Sequence, residues 1–165
     1  MRYLYERVPQ VLLRPNPLAG GNVRTKLIHD VDQKTFAIVL DKGDEVASSL
    51  LAFAKDNKLS ASHFTAIGAF ENVTLGFFER DRKDYKRITI NEQVEVLSLV
   101  GDIALEDDTP KVHAHVVVSK SDGSAHGGHL LEARVWPTLE VILIESPQHL
   151  QRKMDGETGL ALISL

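Results

Sequence analysis

The 165-residue sequence has no cysteine. Disulfides, thiolate nucleophiles and thiolate metal sites are therefore excluded, and any bound metal must be held by nitrogen and oxygen ligands. Long apolar runs are also missing: the longest, such as Val141 to Ile144, fall far short of the roughly 18 residues a membrane-spanning helix needs. Residues 1–13 carry Arg2 and Arg7, but Glu6 and Pro9 interrupt them and no apolar stretch follows, so they do not read as a signal peptide. A cytoplasmic protein with no membrane partner is expected. Excess positive charge is lacking as well. With 19 Lys and Arg against 23 Asp and Glu the net charge is -4, which repels nucleic acid unless a local basic patch offsets it. There is no glycine-rich phosphate loop, nucleophile elbow or dinucleotide fingerprint.

What is present suits one globular domain. Hydrophobic residues make up 43% and charged residues 25%, which excludes a mainly disordered chain. Residues 14–22, RPNPLAGGN, are loop-forming, so residues 1–30 are expected to be an N-terminal arm and loop and residues 31–165 a single domain. Residues 35–40, TFAIVL, read as a strand that Asp41, Lys42 and Gly43 break. Val46, Ala47, Leu50, Leu51 and Ala54 recur at helical spacing and predict a helix over 44–58, with Asp44 as N-cap and Glu45 in the first turn. The remainder predicts strands at 63–69, 73–79, 85–90, 94–104, 112–119, 139–145 and 160–165, with Trp136-Pro137 as a packing anchor and turn before the sixth of these. One early helix followed by many strands describes an α+β (α/β) fold: a mainly antiparallel sheet with one principal helix packed on it. A single helix leaves one broad face of such a sheet bare. Val94, Val96 and Ser98 alternate with Glu95, Leu97 and Leu99, so part of that long strand is apolar on both faces, which favours self-association.

The most informative chemistry is a group of histidines. His113 and His115 stand two apart in VHAHVVV, so a strand projects both imidazoles from one face. Ser121, Asp122 and Gly123 predict a turn, after which Gly127 and Gly128 allow the close backbone approach or positive φ that aims His129 back at the pair. Three neutral imidazoles suit zinc or another borderline divalent cation and leave a coordination position open. Exposed strand histidines, or polar residues at a subunit interface, are the alternative reading. His126 is within sequence reach of the site, whereas His29, His63 and His149 have no clustered partners and read as structural or solvated. Among the carboxylates, Asp102 reads either as an acceptor orienting a histidine or as a polar residue at a bulge. Glu106, Asp107 and Asp108 read as a solvated hairpin turn before a possible metal or base role. Glu71 and Asn72 read as a turn between two strands, facing the same cleft across a subunit boundary. The basic stretch 80–87, RDRKDYKR, is diluted by Asp81 and Asp84 and reads as a solvated hairpin.

Taken in order, Gly68-Ala69-Phe70-Glu71-Asn72-Val73-Thr74-Leu75-Gly76, Val96-Leu97-Ser98-Leu99-Val100-Gly101, His113-Ala114-His115, Asp122-Gly123 and Gly127-Gly128-His129-Leu130 form a specific series. It resembles the plant and prokaryote conserved (PPC) domain family, in the prokaryotic branch described as DNA-binding proteins with a PD1-like motif, over about residues 35–145. The resemblance implies an α/β domain on a mainly antiparallel sheet, assembled as a homotrimer. In plants the domain accompanies AT-hooks and mediates association with itself and with transcription factors. This chain has no Arg-Gly-Arg-Pro core, which argues against direct DNA binding. The plant motif Gly-Arg-Phe-Glu-Ile-Leu falls on residues 92–97, where only Glu95 and Leu97 match, so that partner role does not transfer. Prokaryotic members similar to this one carry the paired histidines and the Gly-Gly-His, and the resemblance thereby implies a divalent metal, zinc first, on His113, His115 and His129. Two functions remain open: a regulatory or scaffold module associated with DNA, and a metal-dependent enzyme or small-ligand binder that uses the open position.

Overall fold

Period-two alternation of apolar and polar residues builds most of this chain into strands, as in β2, where Phe36, Ile38 and Leu40 point inward. The computed structural model describes residues 24–30, 33–146 and 150–164. The loop expected at 14–22 and His149 lie outside these residues. In order, the elements are β1 (Arg24–Asp30), β2 (Lys34–Asp41), α1 (Val46–Asp56), β3 (Ala61–Glu79), β4 (Asp84–Ile90), β5 (Val94–Glu106), β6 (Thr109–Ser119), β7 (Ala125–Glu145), β8 (Gln151–Met154) and β9 (Ala161–Ser164). β1 lies within the segment expected as an arm and pairs antiparallel with β2.

All the strands join one sheet, in which the only parallel contact among the described residues is Leu105 with Gln151. The mainly antiparallel α+β fold expected from the sequence is the fold observed. The ladder also closes on itself: β3 pairs β5, β5 pairs β6, β6 pairs β7, and β7 returns to β3. Phe64, Leu99, Val116 and Leu139 fill the inside and are almost wholly buried. α1 packs on this body through Val46, Leu50, Phe53 and Ala54, with Phe53 meeting Phe36 edge-on at 5.2 Å. Fully burying a side chain such as Val46 or Leu50 contributes about 1.5–3 kcal/mol. No described helix is long and apolar enough to cross a membrane.

Four local expectations change. Glu45, not Asp44, caps α1: its carboxylate accepts from the Ala47 and Ser48 amides at 3.2 and 2.7 Å. Asp44 is buried and accepts from the Asp41 amide instead, tightening the turn out of β2. The two strands expected at 63–69 and 73–79 are one 19-residue strand, β3, so Glu71 and Asn72 lie within a strand and form no turn. Register shifts between Ala66 and Gly68, and again up to Asn72, absorb the glycine as a bulge. Trp136 and Pro137 likewise lie inside β7, where the ladder with β3 steps from Val135 to Leu139. Finally, Leu97 is the extra residue of a bulge in β5, so the alternation inverts there: Leu97 and Val100 point outward and Leu99 inward. Ile67 (61% exposed), Leu97 (54% exposed), Val100, Val117 and Ile142 leave the outer face partly apolar, as the single helix implied.

Candidate metal centre

The site begins with a strand's period of two. On β6 the buried Ala114 separates His113 from His115, so both imidazoles leave the same outer face. The β6–β7 turn closes through the Lys120 amide to Ser124 O (3.0 Å) and through Asp122 Oδ1, which accepts from the Ser124 amide and hydroxyl at 2.8 and 2.6 Å. This sets His129 directly opposite His115. The three ring centroids form a nearly equilateral triangle with sides of 5.2, 5.2 and 5.3 Å. One ligand atom from each histidine lies within 4.8 Å of the other two.

Backbone proximity explains one of the two glycines. A Cβ on Gly128 would come 2.8 Å from Gly76 O on β3, so β7 can lie this close to β3 only without a side chain there. Gly76 in turn leaves room for the ring of Tyr85, which stacks on His129 with centroids 4.6 Å apart.

Burial, followed by the neighbouring His113 and His115, pushes the His129 imidazole down to about 4, and burial with His113 also lowers His115. Both rings are therefore neutral, lone-pair-bearing ligands at physiological pH. Among the described residues the buried Nδ1 of His129 has no hydrogen-bond partner. An orphaned buried nitrogen is costly, and a metal is a partner that this donor set suits. Asp102 on β5 stands opposite His113, and its Oδ2 lies 3.4 Å from His113 Nδ1, at the long end of hydrogen-bond range. Burial raises the Asp102 carboxyl, but hydrogen bonds from His113 and Arg152 and their charges outweigh it, leaving the group below the usual carboxylate value. Asp102 is not at the β5 bulge, which lies at Leu97, and its carboxylate stands beside His113.

Other candidates stand apart. His126 faces Val118 three residues from His129 and is exposed, outside the cluster. Gly127 lies opposite Val117. Asn72 pairs with Arg134, five residues along β7 from His129, and the adjacent Glu71 is exposed, so neither joins the histidines within one chain. Asp107 and Asp108, both at positive φ, form the β5–β6 turn, and Glu106 pairs with Lys111 at 3.2 Å. Two cations of the basic hairpin are paired locally, Arg82 with Glu79 at 3.2 Å and Arg87 with Glu132 at 2.7 Å.

Residues 29–147 match the family profile described as the Plants and Prokaryotes Conserved (PCC) domain. The chain belongs to this family. Among solved structures, this PCC domain is similar to a plant- and prokaryote-conserved protein of Pyrococcus horikoshii, with 30% identity and a TM-score of 0.76 over 86% of this chain and 94% of that one. A metal-containing protein of Archaeoglobus fulgidus is 30% identical, with a TM-score of 0.74 over 87% of this chain and 98% of that one. A candidate DNA-binding protein of Bacteroides thetaiotaomicron is 26% identical, with a TM-score of 0.78 over 85% and 96%. A curated relative, the bifunctional protein GlmU of a Synechococcus strain, is 28% identical over 149 residues, 88% of this chain. The chain spans 21% of that relative's length.

Two neighbours of the centre in this PCC domain carried no sequence signal. Tyr85 falls where the basic stretch 80–87 overlaps the strand expected at 85–90, and Arg152, whose Nη2 reaches Asp102 Oδ1, lies beyond the family match. The lowered His129 has a consequence for the metal-free protein. Its unfolded imidazole takes a proton near 6.5 and its folded one near 4, so the unfolded state binds more protons between these values. Stability is therefore fully present above about 6.5 and is lost as the pH falls towards 4. Denaturant midpoints of the metal-free wild type should drop across that window more steeply than those of H129L; equal slopes would contradict the assignment.

Proposed function

We propose that this PCC domain is a metal-binding module in which His113, His115 and His129 hold one divalent cation, zinc first, and leave a position open for water or a small ligand. The observation that carries this reading is the meeting of three imidazoles from two paired strands within 4.8 Å, with His115 exposed to incoming ligands. The donor chemistry agrees, as does the name of the Archaeoglobus neighbour, a metal-containing protein. A purely structural zinc would normally have four protein ligands, so three with an exposed side favour ligand binding or Lewis-acid chemistry at the open position. Titration of the metal-free chain with zinc against a chromophoric chelator should give one ion per chain; no uptake would remove the reading.

The same reading includes a homotrimer. Ile67, Leu97 and Ile142 line a shallow groove of about 360 Å³ on the outer face, and Val100 beside them stands opposite His115. Packing copies on this face would cover the apolar patch and place the histidines at the edge of the interface, where Glu71 and Asn72 of a neighbouring copy could approach them. Light scattering should give about three times the 18.3 kDa chain mass over a wide concentration range, and a persistent monomer would contradict it.

The alternative, a DNA-associated regulator, is supported by the names of the Bacteroides neighbour and of a Ralstonia eutropha one. The net charge of -4 and the paired arginines of the β3–β4 hairpin oppose it. No submicromolar DNA binding is expected near physiological salt. Polarisation shifts at such protein concentrations with a steep salt slope would reverse the order of the two readings.

A further inference from the structure

We infer that Arg152, on the C-terminal hairpin β8–β9, is a positioning residue for the histidine centre: it holds the Asp102 carboxylate against His113 and so fixes which ring nitrogen that imidazole offers. The inference that this serves a metal rests on the reading proposed above. The effect on the ring does not.

The contacts form a chain. Arg152 Nη2 donates to Asp102 Oδ1, Asp102 Oδ2 faces His113 Nδ1, and Arg152 Nη1 donates to Ala161 O at 2.8 Å. The Arg152 side chain is only 8% exposed. A guanidinium is permanently charged and an ionised carboxylate only accepts, so the nitrogen facing Asp102 must carry the proton. His113 then keeps the lone pair on Nε2, on the side away from Asp102. Among the described residues Asp102 is the hydrogen-bond partner of the His113 ring, so the anchored carboxylate selects between the two tautomers.

A simpler role would be to staple the hairpin. β8 meets β5 through one parallel pair, and the segment before it is held by the Leu105 amide to Leu150 O (2.8 Å) and the Leu150 amide to Ser60 O (3.2 Å). An ion pair with one buried partner is poor stapling, because apolar residues of similar volume often serve as well or better. Among the described residues the buried Nε of Arg152 also has no partner, a cost that packing alone would not favour. Of its two side-chain contacts, the one to Ala161 O closes the hairpin, and the other is directed at Asp102, the strand partner of His113.

The test uses the full chain, zinc-free and at mildly alkaline pH, with long-range proton–nitrogen NMR correlations to read the tautomer of His113 and zinc titration to read affinity. Wild type should show His113 protonated at Nδ1. R152M should shift it to a mixture or to Nε2–H and weaken zinc binding about 10–100-fold, the range for partners that orient a metal ligand. R152K should restore most of both. If R152M does not fold, R152Q, which keeps a donor for Asp102 without the charge, reads the same two quantities. Wild-type His113 protonated at Nε2 would overturn the inference. So would an R152M that melts earlier while tautomer and zinc affinity stay within twofold of wild type. A tautomer that depends on Arg152 in a chain that takes up no zinc would leave the positioning intact and remove the metal reading instead.

Discussion

Zinc affinity is expected to fall more than a hundredfold when any one of His113, His115 or His129 is replaced by alanine, and to be unchanged in H126A. Removing a residue that merely orients a ligand costs about 10–100-fold, and removing one of only three ligands must cost more. The three losses should be of similar size, because the ring centroids are almost equidistant and no histidine is peripheral to the triangle. His126 is the internal control, since it shares the hairpin and the Gly-Gly-His segment yet lies outside the cluster. Equal weakening by H126A and H129A would mean that the hairpin as a whole, rather than the triangle, governs uptake.

A large loss of folding stability is expected from Gly101→Ala. A Cβ at this position would lie 2.4 Å from the Phe64 ring and 2.5 Å from His113 O, the first a wholly buried core side chain and the second a backbone atom of the ladder. Neither can yield cheaply. Overpacking typically costs 1–3 kcal/mol, and with rigid atoms on both sides the cost should reach about 3 kcal/mol. For a domain of this size that is a fall in Tm of roughly 6–12 °C. The clash pushes on His113 itself, so G101A should also weaken zinc binding. A melting temperature within about 2 °C of wild type would show that the strands can part here.

How far the sequence led can be judged element by element. His113 and His115 were legible as a pair because the geometry they need, a strand, is set by local alternation in VHAHVVV. His129 was legible because a short turn and two glycines return the chain within a few residues. Arg152 and Tyr85 were not legible, since what brings them to the centre is long-range pairing, of β8 beside β5 and of β7 beside β3, whose hairpin partner β4 carries Tyr85, and such pairing leaves no local pattern. Gly68 and Trp136-Pro137 misled in the opposite direction: residues that usually end strands are here absorbed by bulges in two very long ones, and the turn expected at Glu71 and Asn72 disappeared with them. The helix was found but its cap was displaced by one residue, because the longer side chain of Glu45 reaches the amides that Asp44 would otherwise have served.

The most direct test of the metal-binding account is a crystal of the full chain grown with zinc and measured on both sides of the zinc absorption edge. The account predicts one strong anomalous peak per chain, about 2.0–2.1 Å from a ring nitrogen of each of His113, His115 and His129. No peak at the triangle, or imidazoles more than about 6 Å apart in every combination of subunits, would contradict it, since ligands so far apart cannot share one ion.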